Sequence, residues 1–514
     1  MQQKVIAYDL GTSGIKASLY DCEGRNRANT LWTYETVYTG KKFHEQNPMQ
    51  WWEGICRTTQ SLLAAAHIDA DEVSAVAISG HSLGAVPVSS DGEILTELTP
   101  IWSDLRAGAQ ADAFFEKVDY DAWYNTTGNG FPRECYSVFK MMWLRDHFPE
   151  KYRKTEKFMG SKDLCNFLFT GRKCTDSSYA SGSGVFDLAA MGYQPNYIAA
   201  SGIDVAKFPE IIASDAIVGE VTAWAAEQTG LRTGTKVICG GVDNSCMALG
   251  ARGIQEGRVY MSLGSSAWIA AISAKPILDS RYKPFVFAHV LPGMYASATS
   301  IFAAGTSMKW ARNELCGDLV QAEREGRLKD AYVQMNEMAE QSRIGAGQLL
   351  FNPCLTGGSM IEEDPNIAAG FIGLNTSHTR NDMIRAVFEG VCYNLRYALE
   401  ILRKYEPGID EMLLVGGGSK SPMWRQMFAD VMQLDTIKTS IDQDAASLGA
   451  AALAMKGIGV WQDYTRIDEL HVVEGRCKPD LNRTAEYDIM YKAHRMTAHY
   501  LSEIGKNFTK MFGD

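Results

Sequence analysis

The chain has 514 residues, 46% of them apolar and 22% charged, which is enough material for two domains with a core each. Its net charge of −11, with no Lys/Arg cluster interleaved with aromatics, excludes nucleic acid as an intended partner. No apolar run approaches the ~20 residues of a membrane span, and the eleven scattered cysteines include no CxxC pair or Cys/His spacing that suits zinc. The chain enters Val5-Ile6-Ala7-Tyr8 without a basic and then apolar leader. Reduced thiols, no secretory signal and a cytoplasmic protein are therefore expected.

In chain order, Lys4 to Tyr8 reads as a strand. It runs through Asp9-Leu10-Gly11-Thr12-Ser13-Gly14 into a second strand, Ile15 to Tyr20. The glycines expose backbone N–H groups which, with Thr12 and Ser13, can cradle a phosphate. Asp9 can hold Mg²⁺. An ordinary Gly-rich hairpin is the plainer alternative. Asn47-Pro48 then caps a helix with Trp51, Trp52, Ile55, Leu62 and Leu63 at helical spacing, so the tryptophan pair is expected in the core.

The strand Val73 to Ile78 ends in Ser79-Gly80-His81-Ser82-Leu83-Gly84, which places a histidine between two glycines where a ligand could sit. Trp102-Ser103-Asp104-Leu105-Arg106 offers a stacking face and two charged groups to a polyhydroxylated substrate, or else a local salt bridge. Residues 134–183 read as helices and loops.

The run Val237-Ile238-Cys239-Gly240-Gly241-Val242-Asp243-Asn244 is a buried strand ending in paired glycines and a carboxylate. Ligands bind at strand ends in α/β proteins, so Asp243 is a candidate general base, with a turn or helix cap as the alternative. Arg258 to Leu263, Gly264-Ser265-Ser266 and Ala267 to Ile272 repeat the layout of the first hairpin, with Gly264 lying 253 positions after Gly11. Two such units half a chain apart predict an internal duplication. A strand from Tyr295 to Ile301 leads to Gly305-Thr306-Ser307-Met308-Lys309 at a helix start, and a long amphipathic helix follows Asn381-Asp382. Met412 to Val415 runs into Gly416-Gly417-Gly418-Ser419 and a helix from Pro422, a turn suited to a nucleotide or its phosphates. The tail after Trp461 reads as polar and helical.

In this order the motifs resemble the FGGY carbohydrate kinases, and within them the xylulose kinases. The resemblance spans about residues 4–457. It rests on Asp9 with Gly11-Thr12-Ser13-Gly14, Glu45-Gln46-Asn47-Pro48, Trp102 with Asp104 and Arg106, and Lys140 with Trp143. It continues through Gly240-Gly241-Val242-Asp243-Asn244, Leu263-Gly264-Ser265-Ser266, Gly370 to Leu374, Phe388-Glu389-Gly390 and Gly416-Gly417-Gly418-Ser419.

The resemblance implies an α/β fold of two ribonuclease H/actin-like domains. Residues 1–252 would form the sugar-binding domain with the catalytic aspartate, and 253–514 the ATP-binding domain. It implies that Asp243 takes the proton of the attacking hydroxyl and that Asp9 serves Mg²⁺. Thr12, Ser13, Gly264 and Ser265 would surround the transferring phosphate. Gly305, Lys309 and Gly416, Gly417 and Gly418 would belong to the ATP side, and His81, Ser82, Trp102, Asp104 and Arg106 to the sugar.

The expected partners are ATP and a small sugar, with neither nucleic acid nor membrane; a homodimer stays open. The expected substrate is a ketose such as xylulose or a relative. A polyol or sugar acid of glycerol or gluconate type is the alternative, and a non-phosphorylating actin-fold ATPase a further one. Two departures bear on substrate. Where xylulose kinases carry Gln-Met-His-Gly, this chain has His81-Ser82-Leu83-Gly84, and their Gly-Glu-Arg loop is replaced by Thr356 to Glu362.

Overall fold

The computed structural model describes residues 3–512. The chain forms two compact units, one of residues 1–256, 272–297 and 444–471, the other of 257–271, 298–443 and 472–514.

The first unit is built on a sheet of six strands: β1 (Lys4–Leu10), β2 (Gly14–Asp21), β3 (Asn26–Thr33), β4 (Val73–Gly80), β5 (Ile217–Glu220) and β6 (Lys236–Val242). Their spatial order is β5-β6-β4-β1-β2-β3. β6, β4 and β1 run parallel, while the hairpin partners β2 and β3 and the edge strand β5 run antiparallel. The parallel strands are buried almost throughout, as strands covered on both faces must be.

Helix Pro48–Ala66 covers one side. Asn47 caps it, and Trp51 and Trp52 join the core with Tyr8, Ile78 and Val76, as expected. Trp51 keeps its indole N–H satisfied by Gln46 Oε1 at 2.9 Å. On the other side, helix Ala445–Gly457 packs against helix Asp243–Gly250, so closely that a Cβ on Gly449 would sit 1.9 Å from the carbonyl oxygen of Cys246. Only glycine admits that approach.

The second unit's sheet contains β7 (Val259–Leu263), β8 (Ala267–Ser273), β9 (Tyr295–Ile301), β10 (Glu411–Val415), β11 (Asp435–Thr439) and β12 (Val473–Cys477), in the order β9-β8-β7-β10-β11-β12. β7 pairs antiparallel with β8 and parallel with β10; β10 pairs parallel with β11, and β12 closes the edge antiparallel. In space these six repeat β3-β2-β1-β4-β6-β5, so the duplication expected from the two hairpins extends to most of each sheet; the edge strand β12 follows β11 in the chain where β5 precedes β6, and a seventh strand, Phe285–Ala288, pairs beyond β9.

The tail differs from its reading as helix alone. Val473–Cys477 is an edge strand before helix Leu481–Phe512. Its sequence is polar because an edge strand has only one pairing side to bury. Within 134–183, Thr155–Met159 and Cys174–Asp176 are short strands beside the expected helices.

Candidate active site

In the first unit, Asp9 and Asp243 emerge at the same end of the sheet, where the parallel strands finish. Asp9 pairs in register with Ser79 on β4, and on β4's other side Gly241 pairs with the same Ser79. Asp243 is the first residue of helix Asp243–Gly250, and its Oδ1 accepts the Asn244 N–H at 2.8 Å. Burial pushes its carboxyl up to about 7; the Asn244 N–H opposes the rise and the charge of Asp9 adds to it. Burial also raises Asp9, while Lys16 across the hairpin and the Ser79 hydroxyl, 3.4 Å away, pull it back. A carboxylate that titrates near neutrality at a strand end can accept a proton.

The hydroxyl-bearing turn after β1 is fixed from outside. Gln46 Nε2 donates to the Thr12 carbonyl at 2.6 Å, the Tyr34 hydroxyl donates to the Gly11 carbonyl, and Trp102 Nε1 donates to Thr12 Oγ1 at 3.0 Å. Ser13 is exposed, and Trp102 keeps 37% of its surface open. An aromatic face and the Ser13 hydroxyl are therefore presented together.

The turn after β4 is more enclosed than its glycines suggest. His81 and Ser82 are buried, and the His81 ring packs edge-on against Trp51 at 5.1 Å. Burial pushes its pKa down to about 4, so the imidazole is neutral at physiological pH. Leu83 adopts φ +62°, a left-handed conformation unusual for a branched side chain. Lys140 Nζ donates to the carbonyls of Leu83 at 2.9 Å and Ile101 at 2.6 Å, which ties this turn to the loop carrying Trp102.

Asp104 and Arg106 are paired with each other. Arg106 Nε and Nη2 bond the two oxygens of Asp104 at 2.8 and 2.7 Å, Nη2 also reaches Glu45 at 2.8 Å, and the guanidinium lies over Phe43 and Trp143. Asp104 takes the His44 N–H as well, at 2.7 Å. This is the local salt bridge that the segment offered as its alternative. Both side chains are buried and held by each other. A pocket of about 240 Å³ beside the pair is lined by Glu45, Arg106, Lys140 and Trp143 among others, but not by Asp9 or Asp243.

In the second unit, three glycine-bearing segments meet at one end of the sheet. The turn Gly264-Ser265-Ser266 is exposed. Gly305 and Thr306, at the start of helix Gly305–Leu315, donate their N–H groups to the carbonyls of Gly264 and Ser265, each at 3.0 Å. The turn after β10 packs on the end of β7: Gly416 has φ +93°, and a Cβ there would stand 2.8 Å from the Leu263 carbonyl oxygen. Gly417 has open space around it, Asp442 Oδ1 accepts the Gly416 N–H at 2.5 Å, and Lys309 is exposed. The exposed Gly264-Ser265-Ser266 turn and Lys309 suit phosphate, whereas the first N–H groups of helix Gly305–Leu315 are already used within the protein.

The reading of motifs passed over Lys16, Ser79 and Asp444. Lys16 bonds Asp444 at 2.7 Å and faces Asp9. Counting back across the hairpin from Gly11 would have found Lys16; nothing local points to Asp444, 428 positions away.

Residues 4–250 match the N-terminal domain of the FGGY family of carbohydrate kinases, and residues 259–458 its C-terminal domain. The chain is 28% identical over 492 residues to a xylulose kinase of Bacillus subtilis (strain 168), covering 96% of each. It is 24% identical over 488 residues to a gluconokinase of Bacillus licheniformis, covering 95% of this chain and 94% of that one. The solved structure of a xylulose kinase from Lactobacillus acidophilus superposes with a TM-score of 0.89 at 22% identity, covering 98% of this chain and all of that one. With both domains matched in order across most of its length, the chain belongs to the FGGY family of carbohydrate kinases and is a sugar phosphotransferase.

Proposed function

We propose that this kinase transfers the terminal phosphoryl group of ATP to a hydroxyl of a small ketose, xylulose or a relative of it, in the cytoplasm. Residues 1–252 carry the sugar-binding part and residues 253–514 the ATP-binding part, although 272–297 and 444–471 pack into the first compact unit. The observation that carries the reading is Asp243: a carboxylate at a strand end, held near neutrality by burial and flanked across one strand by Asp9.

Asp243 accepts the proton of the attacking hydroxyl. Phosphoryl transfer has a loose transition state, so the base receives its proton late and the remaining residues mainly hold the reactants in line. Trp102 stacks against the sugar. His81, neutral and buried, shapes the floor of that side together with Ser82. Asp104 and Arg106 serve by locking the loop that carries Trp102. Thr12, Ser13, Gly264 and Ser265 take the transferring phosphate, while Gly305, Lys309, Gly416, Gly417 and Gly418 take the nucleotide.

Asp9 suits Mg²⁺. It supplies a carboxylate oxygen at the end of the sheet beside the hydroxyl-bearing turn, and Mg²⁺ typically needs only one or two carboxylates besides phosphate oxygens and water. No larger His/Cys/Asp/Glu cluster exists among the described residues. When bound, Mg²⁺ supplies positive charge to the phosphate oxygens.

A sugar acid is the second reading. Leu83 stands where xylulose kinases carry a histidine, and a gluconokinase is among the relatives. Measuring ATP turnover with ketoses, polyols and sugar acids separates these readings. Sugar-dependent ADP release is expected, and turnover indifferent to every sugar would overturn the kinase assignment in favour of an actin-fold ATPase.

A further inference from the structure

The strand that delivers Asp243 is irregular just before it gets there. β6 follows β4 in register to Ile238, paired with Ala77, and resumes at Gly241, paired with Ser79. One extra residue is thus accommodated on β6, a β-bulge of the kind that re-aims the chain beyond it. Gly240 carries φ +72°, and a Cβ there would lie 2.0 Å from the carbonyl oxygen of Ile78.

A bulge frees backbone groups from the ladder, and four groups here bond outside β4. The Cys239 N–H goes to the Ala216 carbonyl at 2.9 Å, and the Gly240 N–H to the Ser214 carbonyl at 3.0 Å. Asn166 Nδ2 donates to the Cys239 carbonyl at 2.8 Å. The Val242 N–H, one residue before Asp243, donates to Ser178 Oγ at 3.0 Å.

Ser178 is itself held. Its hydroxyl and its backbone N–H both donate to Asp176 Oδ2, the latter at 3.0 Å, and that oxygen also takes the Ser214 hydroxyl at 2.8 Å. Asp176 Oδ1 is paired at 3.0 Å with Lys162 Nζ, which bonds Asp163 at 2.5 Å. Lys162, Asp163, Asp176 and Ser178 are all fully or almost fully buried. A buried charged network is an expensive way to hold a strand in place if a hydrophobic packing would serve. Here its outermost hydroxyl ends on the peptide that sets the direction of Asp243.

We propose that Ser178, with its hydroxyl oriented by the buried Asp176–Lys162 pair, is a positioning residue for Asp243. The inference rests on Asp243 being the base. Ser178 touches no reacting atom; it fixes the Val242 N–H, and with it the point where β6 turns into helix Asp243–Gly250. Small displacements of a catalytic group cost rate while leaving substrate affinity alone.

The test compares Ser178→Ala with Ser214→Ala. Both remove a buried hydroxyl that donates to the same Asp176 oxygen, but only the first releases Val242. Ser178→Ala is expected to lower kcat roughly 10- to 100-fold with both KM values within about threefold, while Ser214→Ala keeps kcat near wild type at a similar loss of Tm. Equal kcat losses in the two variants, or a Ser178→Ala loss that disappears once temperature is matched to Tm, would make the network merely structural and overturn the proposal. Should Ser178→Ala not fold, Ser178→Cys, with its weak hydrogen-bonding group, is read the same way.

Asp243→Asn is measured alongside. If it is inactive while Ser178→Ala turns over like wild type, only the positioning role falls. If Asp243→Asn keeps most of its activity, the base assignment falls and this role with it. Adding Ser178→Ala to Asp243→Asn should slow the residual reaction no further, and a full additional loss would show that Ser178 acts elsewhere.

Discussion

Asp9 and Asp243 flank the same residue of the strand between them: Ser79 is in register with Asp9 on one side and with Gly241, two residues before Asp243, on the other. Two carboxylates are thereby set at one sheet end, with a single strand's width between their strands. The charge of Asp9 reinforces the burial that raises Asp243.

The pH dependence comes from that arrangement. Asp243 acts as a base only when ionised, so sugar kcat/KM should climb about tenfold per pH unit below about 7 and level off above it. A profile flat from pH 5 to 8 would contradict this. The linked effect on stability has the opposite sense. A carboxyl raised from 3.8 to about 7 on folding adds stability that is fully present below 3.8 and lost as pH rises through about 7. Asp243→Asn should therefore cost roughly 10²–10⁴ in kcat. At pH 8 it should also melt higher than wild type, by a gain on the order of 4 kcal/mol at most.

The Arg106 pairing predicts a fold defect ahead of a binding defect. Arg106→Met leaves Asp104 and Glu45 without their cation in a buried setting, a loss of about 3–5 kcal/mol. Thermal denaturation should show it without ligand. An unchanged Tm with a raised sugar KM would instead return Arg106 to direct contact with substrate.

The glycine turn after β10 separates into a constrained and a free position. Gly416→Ala meets both a left-handed backbone and the Leu263 carbonyl, whereas Gly417→Ala meets nothing within 4 Å. ATP KM should rise about tenfold or more for the first, the scale of 1–2 kcal/mol of backbone strain, while Tm should fall for Gly416→Ala and not for Gly417→Ala, whose added methyl meets only the nucleotide. Sugar KM, measured at saturating ATP, should not move for Gly416→Ala.

Leu83 should weaken the use of D-xylulose. Its side chain is buried and apolar, and its carbonyl is taken by Lys140, so it offers no hydrogen bond where the xylulose kinases have a histidine. A missing partner for a buried hydroxyl costs about 1–3 kcal/mol, or roughly 5- to 150-fold. His81, two positions earlier, does not simply take its place, because neighbouring side chains in a turning segment point in different directions and its ring packs on Trp51. D-xylulose should rank below another ketose, polyol or sugar acid in kcat/KM. D-xylulose ranking first, above ~10⁴ M⁻¹s⁻¹, would refute this.

The amino-acid sequence determined the architecture because the evidence for it is local and repeated. β-branched runs closed by glycine-hydroxyl turns recur half a chain apart, and each hairpin sits beside a parallel pair in its sheet. It also singled out Asp9 and Asp243, since a carboxylate just past a buried strand is visible in a few consecutive residues. What it could not decide was how polar side chains are spent. Asp104 and Arg106 read equally well as sugar ligands or as each other's partners, and only the packing of Glu45, Phe43 and Trp143 around them settled the pairing. The bulge at Cys239-Gly240 and its supports Asn166, Ser178 and Ser214 lie in separate segments with no shared pattern. The proton affinity of Asp243 likewise comes from burial. Burial is a property of everything folded around a residue, whereas a motif records only its neighbours along the chain.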